Sequence, residues 1–196
     1  SDVVAEAEAA FAKYVSADAV GESSPYCLGV NSGGSALFLS LVAAGIGPHE
    51  PVLTNCFTLS PVPGAIAHAG GQPVLVDCEK NSCQISLSDL KKKQADSGAR
   101  FLLLSYMRGR VPEDLEDILS FCREAGVSVI EDCAHTLGAR VQFSDGKLRQ
   151  LGTLGLAAAF SLQTNKLLNA GEGGFLLTRD PRLLAKATIL SGSYGH

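Results

Sequence analysis

Seven short apolar runs punctuate the chain, and between them apolar residues recur at helical spacing. The runs are Tyr26 to Val30, Val52 to Thr54, Pro73 to Val76, Phe101 to Ser105, Val127 to Ile130, Leu156 to Ser161 and Gly174 to Thr178. Helices are expected from Asp2 to Val15, Ser35 to Ala44, Pro61 to Ala69, Leu87 to Gln94, Glu113 to Ala125 and Pro181 to Leu190. Runs this short and this apolar suit strands buried on both faces, and strands alternating with helices across short loops build a parallel sheet covered on each side. The expected class is α/β, with a mainly parallel seven-stranded sheet and helices on both faces. No repeat, low-complexity linker or shift of composition divides the 196 residues, so one domain is expected.

With 46% hydrophobic and 18% charged residues, the chain can bury a full core. Its formal net charge is −4, and its Lys and Arg are scattered except for Lys91 to Lys93, which reads as a solvated helix face; nucleic acid is not an expected partner. Cys27, Cys56, Cys78, Cys83, Cys122 and Cys133 show neither CxxC spacing nor the density of a secreted disulfide scaffold, and read as reduced thiols of a cytoplasmic protein. No leader-like stretch opens the chain, and no apolar run nears the roughly 18 residues that cross a bilayer, so no membrane partner is expected.

Ligands of such folds sit beyond the carboxyl ends of the strands, which makes the loops there the place to look for chemistry. VNSGGSAL (residues 30–37) ends a strand, turns tightly at Gly33 and Gly34 and opens a helix, whose free N–H groups and positive dipole end can hold a phosphate. The same residues also suit a plain turn with Ser32 or Ser35 as the helix cap. The loop carries neither the P-loop nor the dinucleotide glycine pattern, which argues against ATP and NAD.

VSVIEDCAHTLGA (residues 127–139) delivers Glu131, Asp132 and His135 to a strand end, where a carboxylate could keep a ring nitrogen protonated. A helix cap at Asp132 and a packed imidazole at His135 are the alternatives. In FSLQTNKLLNAGEGGF (residues 160–175), Ser161 closes a strand, Lys166 follows five residues later, and Gly171, Gly173 and Gly174 turn the chain back. A lysine held there is either an exposed loop residue or an imine-forming amine. In SYMRGRVPED (residues 105–114), Tyr106, Arg108 and Arg110 read as structural or solvated. Phosphate cradle, pyridinium partner and Schiff-base amine are together the parts of a pyridoxal phosphate site.

With HAGGQPVLVD (residues 68–77), these motifs resemble the DegT family of sugar aminotransferases in order and approximate spacing over nearly the whole chain. The resemblance implies the large domain of an aspartate aminotransferase-like, fold type I enzyme with pyridoxal 5'-phosphate as cofactor. By position, Lys166 would carry the cofactor, Asp132 would pair with its ring nitrogen and His135 would lie near its phenolic oxygen. Ser161, Gly33 and Gly34 would hold its phosphate. The family's SGT is here Ser32, Gly33 and Gly34, so a threonine hydroxyl is missing and Ser35 could replace it. The aromatic residue that stacks on the ring in relatives aligns with Leu59, two residues from Phe57. Gln163 stands where many members have His, and Tyr106 replaces the His that opens a further motif.

The resemblance also implies a homodimer, and small-molecule substrates: an amino acid donor such as glutamate and a keto-sugar, nucleotide-linked, or an aminocyclitol precursor. Relatives continue past the point that matches Ser191 to His196, so residues 1–196 are expected to be the cofactor-binding large domain without the family's small C-terminal domain. A dehydratase of the same fold is the alternative within enzymes, one that replaces the lysine by His. A non-catalytic relative is the alternative outside them.

Overall fold

The computed structural model describes residues 2–16 and 24–192. In chain order its elements are α1 (Asp2–Val15), β1 (Tyr26–Val30), α2 (Gly33–Ala44), β2 (Pro51–Asn55), α3 (Pro61–His68), β3 (Gln72–Val76), α4 (Leu87–Ser97) and β4 (Phe101–Ser105). A 3-10 turn (Met107–Gly109) follows, then α5 (Leu115–Glu124), β5 (Ser128–Asp132), β6 (Arg140–Gln142), β7 (Leu148–Gln150), β8 (Ala157–Ser161), β9 (Gly174–Thr178) and α6 (Pro181–Leu190).

Seven strands form one sheet in the order β1-β9-β8-β5-β4-β2-β3, and β6 pairs with β7 as a separate hairpin. Within the large sheet only β9 is reversed, antiparallel to both β1 and β8. The α/β class with a mainly parallel sheet is therefore the observed one.

The period-2 alternation of the strands divides the core between two faces. On one face Leu53, Leu102, Leu104, Val129, Ala158 and Phe160 meet Phe11 of α1, Leu90 of α4 and Ile118 of α5. On the other, Val52, Leu103, Ile130, Ala157 and Ala159 meet Leu37 and Leu41 of α2, Ile66 of α3 and Leu183 of α6. Each fully buried Leu or Ile contributes about 1.5–3 kcal/mol relative to an exposed one, so the two cores fix which residues of every strand face which helices.

Helix α2 begins two residues before the expected Ser35, because the Ser32 side chain accepts a hydrogen bond from the Ser35 N–H and caps the turn. It stops at Gly45, whose φ of 100° lets its N–H return to Leu41 and Val42. Strand β5 runs two residues past the expected Ile130, so that Glu131 and Asp132 belong to the strand itself. Among the described residues no helix is long and apolar enough to cross a membrane.

Candidate active site

Strand phase and register assemble the site. Ser105 of β4 pairs directly with Asp132 of β5, and Asp132 pairs with Ala159 of β8, two residues short of Ser161. By alternation Ser105, Asp132 and Ser161 lie on the α2 side of the sheet at its carboxyl end. Residues separated by dozens of positions in the chain thus share one rim.

Asp132 is 6% exposed. It accepts hydrogen bonds from the Ser105 hydroxyl at 2.7 Å and the Ala134 N–H at 3.1 Å. The Thr58 hydroxyl donates to Ser105 Oγ at 2.8 Å, and Asn55 bonds both the N–H and the C=O of Ser105. Burial pushes the Asp132 carboxyl up from its usual value, and the two hydrogen bonds together with the nearby His135 and Lys166 offset only part of that. The site holds a carboxylate in want of a positive partner.

His135 Nε2 and Lys166 Nζ are 2.9 Å apart. Burial and the Lys166 charge hold the His135 pKa below its usual value, so the imidazole is neutral near pH 7 and its Nε2 accepts from the lysine. Ala134, Ser161 and Lys166 line a common gap of about 10 Å³. Lys166 is half-buried, as an exposed loop lysine would not be.

The N-terminus of α2 closes on Ser161. A Cβ added to Gly33 would stand 2.7 Å from Ser161 Cβ, and one added to Gly174 would stand 2.5 Å from the Ser32 carbonyl oxygen. Only glycine allows this approach. The Ser35 and Ala36 N–H groups are taken by Ser32 Oγ and the Ser32 carbonyl, while those of Gly33 and Gly34 have no acceptor among the described residues. Ser35 Oγ donates to Asn31 Oδ1, so it would have to rotate to replace the missing threonine hydroxyl.

Glu131 and Tyr106 turn away from this rim. Glu131 is fully buried on the α1 side and accepts from Tyr106 Oη and from the N–H groups of Gly152, Leu154 and Gly155 at 2.8–3.0 Å. Those four donors are why a carboxylate can continue the strand, and they tie the loop before β8 to β5. Burial raises the Glu131 carboxyl and the Tyr106 hydroxyl alike. Leu59 and Phe57, on the loop after β2, flank Thr58 in the chain and are 47% and 44% exposed. A cleft of about 1010 Å³ opens at the other end of the sheet beside Ser128 and Gly155, and contains none of the expected site residues.

Ser105, Thr58 and Asn55 were not among the expected residues. Ser105 carries the signal that could have found it, a hydroxyl at the last position of an apolar strand. Asn55 and Thr58 carry none without the register.

A phosphate-bearing, cationic ring fits this donor set: two N–H groups without acceptors, a glycine cradle that a Cβ would fill, a buried carboxylate short of positive charge, and a lysine beside it. Fold and site together define the fold type I architecture of sugar aminotransferases. The profile of the DegT/DnrJ/EryC1/StrS aminotransferase family matches residues 2–194, and the chain belongs to that family, whose enzymes depend on pyridoxal phosphate. The spore coat polysaccharide biosynthesis protein SpsC of Bacillus subtilis (strain 168) is 34% identical over 166 residues, covering 85% of this chain and 41% of that protein. GDP-perosamine synthase of Caulobacter vibrioides is 32% identical over 189 residues, covering 96% of this chain and 47% of that protein. The structure of S. venezuelae DesV in complex with a ketimine intermediate superposes with a TM-score of 0.81 at 29% identity, covering 98% of this chain and 48% of that one. The chain thus spans less than half the length of these relatives.

Proposed function

We propose that the protein is a pyridoxal phosphate-dependent sugar aminotransferase, with residues 1–196 as its cofactor-binding domain. The observation that carries this reading is the Lys166–His135 pair, 2.9 Å apart, within electrostatic reach of buried Asp132. When bound, the cofactor takes an amino group from a donor and passes it to a carbonyl acceptor, its ring serving as the electron sink. Lys166 Nζ is its covalent attachment point. Asp132 holds the proton on the ring nitrogen, and the same ion pair supplies the charge that the buried carboxylate lacks. The N–H groups of Gly33 and Gly34 and the Ser161 hydroxyl hold the phosphate.

His135, kept neutral, accepts a hydrogen bond from Lys166 and so holds the lysine in position, from where the amine would move a proton at the substrate's α-carbon. Leu59 or Phe57 would cover the ring. The donor is an amino acid, glutamate being the simplest choice, and the acceptor is a keto group on a sugar, in line with the GDP-perosamine synthase relative. The presence of Lys166 favours transamination over the dehydratase alternative. A cytoplasmic homodimer is part of the same proposal; six free thiols support the reducing compartment.

Borohydride reduction of the holoenzyme followed by peptide mapping tests the assignment: the adduct is expected on Lys166, and an adduct on Lys147 or Lys186 overturns it. Asp132→Ala is expected to retain part of the cofactor and lose nearly all turnover. Near wild-type turnover in that variant would remove Asp132 from its role.

A further inference from the structure

Strands β2 and β3 run parallel and in register, Asn55 beside Val76, and the Cys56 N–H extends the ladder by bonding the Val76 carbonyl at 2.9 Å. The next residues therefore emerge side by side at the carboxyl end of the sheet. There Cys56 Sγ, an Asp77 carboxylate oxygen and Cys78 Sγ all lie within 4.8 Å of one another. We propose that Cys56, Asp77 and Cys78 form a binding site for a thiophilic divalent cation of the Zn²⁺ type, with solvent as the fourth ligand.

The spacing suits such an ion. Bonds of about 2.0–2.3 Å to a tetrahedral Zn²⁺ place neighbouring ligand atoms about 3.3–3.8 Å apart. Cys56 Sγ already stands 3.7 Å from Asp77 Oδ1. The carboxylate is oriented in advance, since the Asp77 Oδ1 accepts from the Cys78 N–H at 2.9 Å while the Asp77 N–H donates to Asp89 at 2.8 Å. Cys56 and Asp77 are exposed and Cys78 is half-buried, which leaves a side open to entry of the ion and to water.

Two thiols and a carboxylate converging on one point form the mixed sulfur and oxygen ligand set that a thiophilic divalent ion takes up, with release of the thiol protons. The ion would also anchor the first residue of the loop that carries Thr58 to Ser105. The site is independent of the cofactor assignment, and its test reads metal binding alone.

Titration of the reduced, purified protein with Co²⁺ is expected to give a thiolate-to-cobalt charge-transfer band that saturates at one equivalent and is bleached by Zn²⁺. Cys56→Ser and Cys78→Ser should each weaken binding by about tenfold or more and reduce the band, Asp77→Asn should weaken binding while the band persists, and Cys83→Ser should change neither. Absence of the band, or a band that survives both Cys56→Ser and Cys78→Ser, overturns the proposal. So does ready air oxidation to a Cys56–Cys78 disulfide in protein that fails to bind Co²⁺ when reduced.

Discussion

Gly33 and Gly34 are neighbours in the first turn of one helix, yet the structure gives their replacement by alanine opposite outcomes. In Gly33→Ala the new Cβ would stand 2.7 Å from Ser161 Cβ and 3.2 Å from Ser161 Cα and Oγ. Carbon atoms in contact settle near 3.5–4.0 Å, so loop and strand end must part by about 1 Å. In Gly34→Ala the Cβ meets only Ser32 Oγ, at 3.7 Å, an ordinary contact. Neither glycine has a positive φ, so backbone strain enters neither variant. Restricting the unfolded chain stabilises both by about 0.4–1 kcal/mol, and that gain cancels in the comparison. What remains is the overpacking cost, which places Gly33→Ala about 1–3 kcal/mol below Gly34→Ala. With a urea slope near 2 kcal/mol per M, the cofactor-free variants should differ in midpoint by about 0.5–1.5 M. Gly33→Ala should also bind pyridoxal phosphate more weakly, since it separates the proposed phosphate donors. Equal midpoints, or a lower midpoint for Gly34→Ala, would refute the close approach of α2 to Ser161.

Two further predictions concern ionisable groups, Glu131 in the core and the half-buried His135. In Glu131→Gln the amide nitrogen would stand where Oε2 accepted from Tyr106 and Gly152; the Tyr106 hydroxyl can turn to accept from it, but the Gly152 N–H is left facing a donor, and a net loss of about 1–3 kcal/mol is expected in denaturant melts, with turnover per folded molecule unchanged. His135 has a folded pKa held below its usual 6.5, so its contribution to stability is complete above about pH 6.5 and is lost as pH falls from there through the folded pKa. The raised carboxyls of Asp132 and Glu131 act in the opposite sense, favouring the folded state as pH falls toward their folded pKa values. Going from pH 7.5 to 5.5 should therefore lower the urea midpoint less, or raise it more, in His135→Gln than in the parent protein; an identical signed shift would show that the imidazole titrates as it does in the unfolded chain.

The strands β1, β4 and β9 and the helices α1 and α6 fall on the boundaries expected from apolar patterning, because each has a buried, alternating or helical stripe bounded by turn residues. The hairpin β6–β7 escaped that reading. Arg140-Val141-Gln142 and Leu148-Arg149-Gln150 are largely polar, and the hairpin lies outside the main sheet, so no apolar alternation marks it. The adjacent acids Glu131 and Asp132 were the harder problem. Composition treats them alike, and only strand phase sends Asp132 to the α2 side and Glu131 to the opposite core, where four donors make it structural. The Thr58–Ser105–Asp132 relay was illegible for a similar reason: its members are 47 and 27 positions apart, and register alone joins them.

Strand β1 carries the chain into the glycine turn, yet among the described residues its one neighbour in the sheet is β9, which follows the other six strands of that sheet in chain order. During synthesis, then, the stretch that leads to Gly33 emerges early but has no neighbour to pair with until residues 174–178 have left the ribosome. Ser161 and α2 are held in place across that same strand. Under the proposed cofactor assignment, growing chains that have not passed Thr178 would have the lysine at 166 and the acid at 132 but no closed cradle, so capture of a phosphate-bearing ligand would wait for the end of the sheet's assembly.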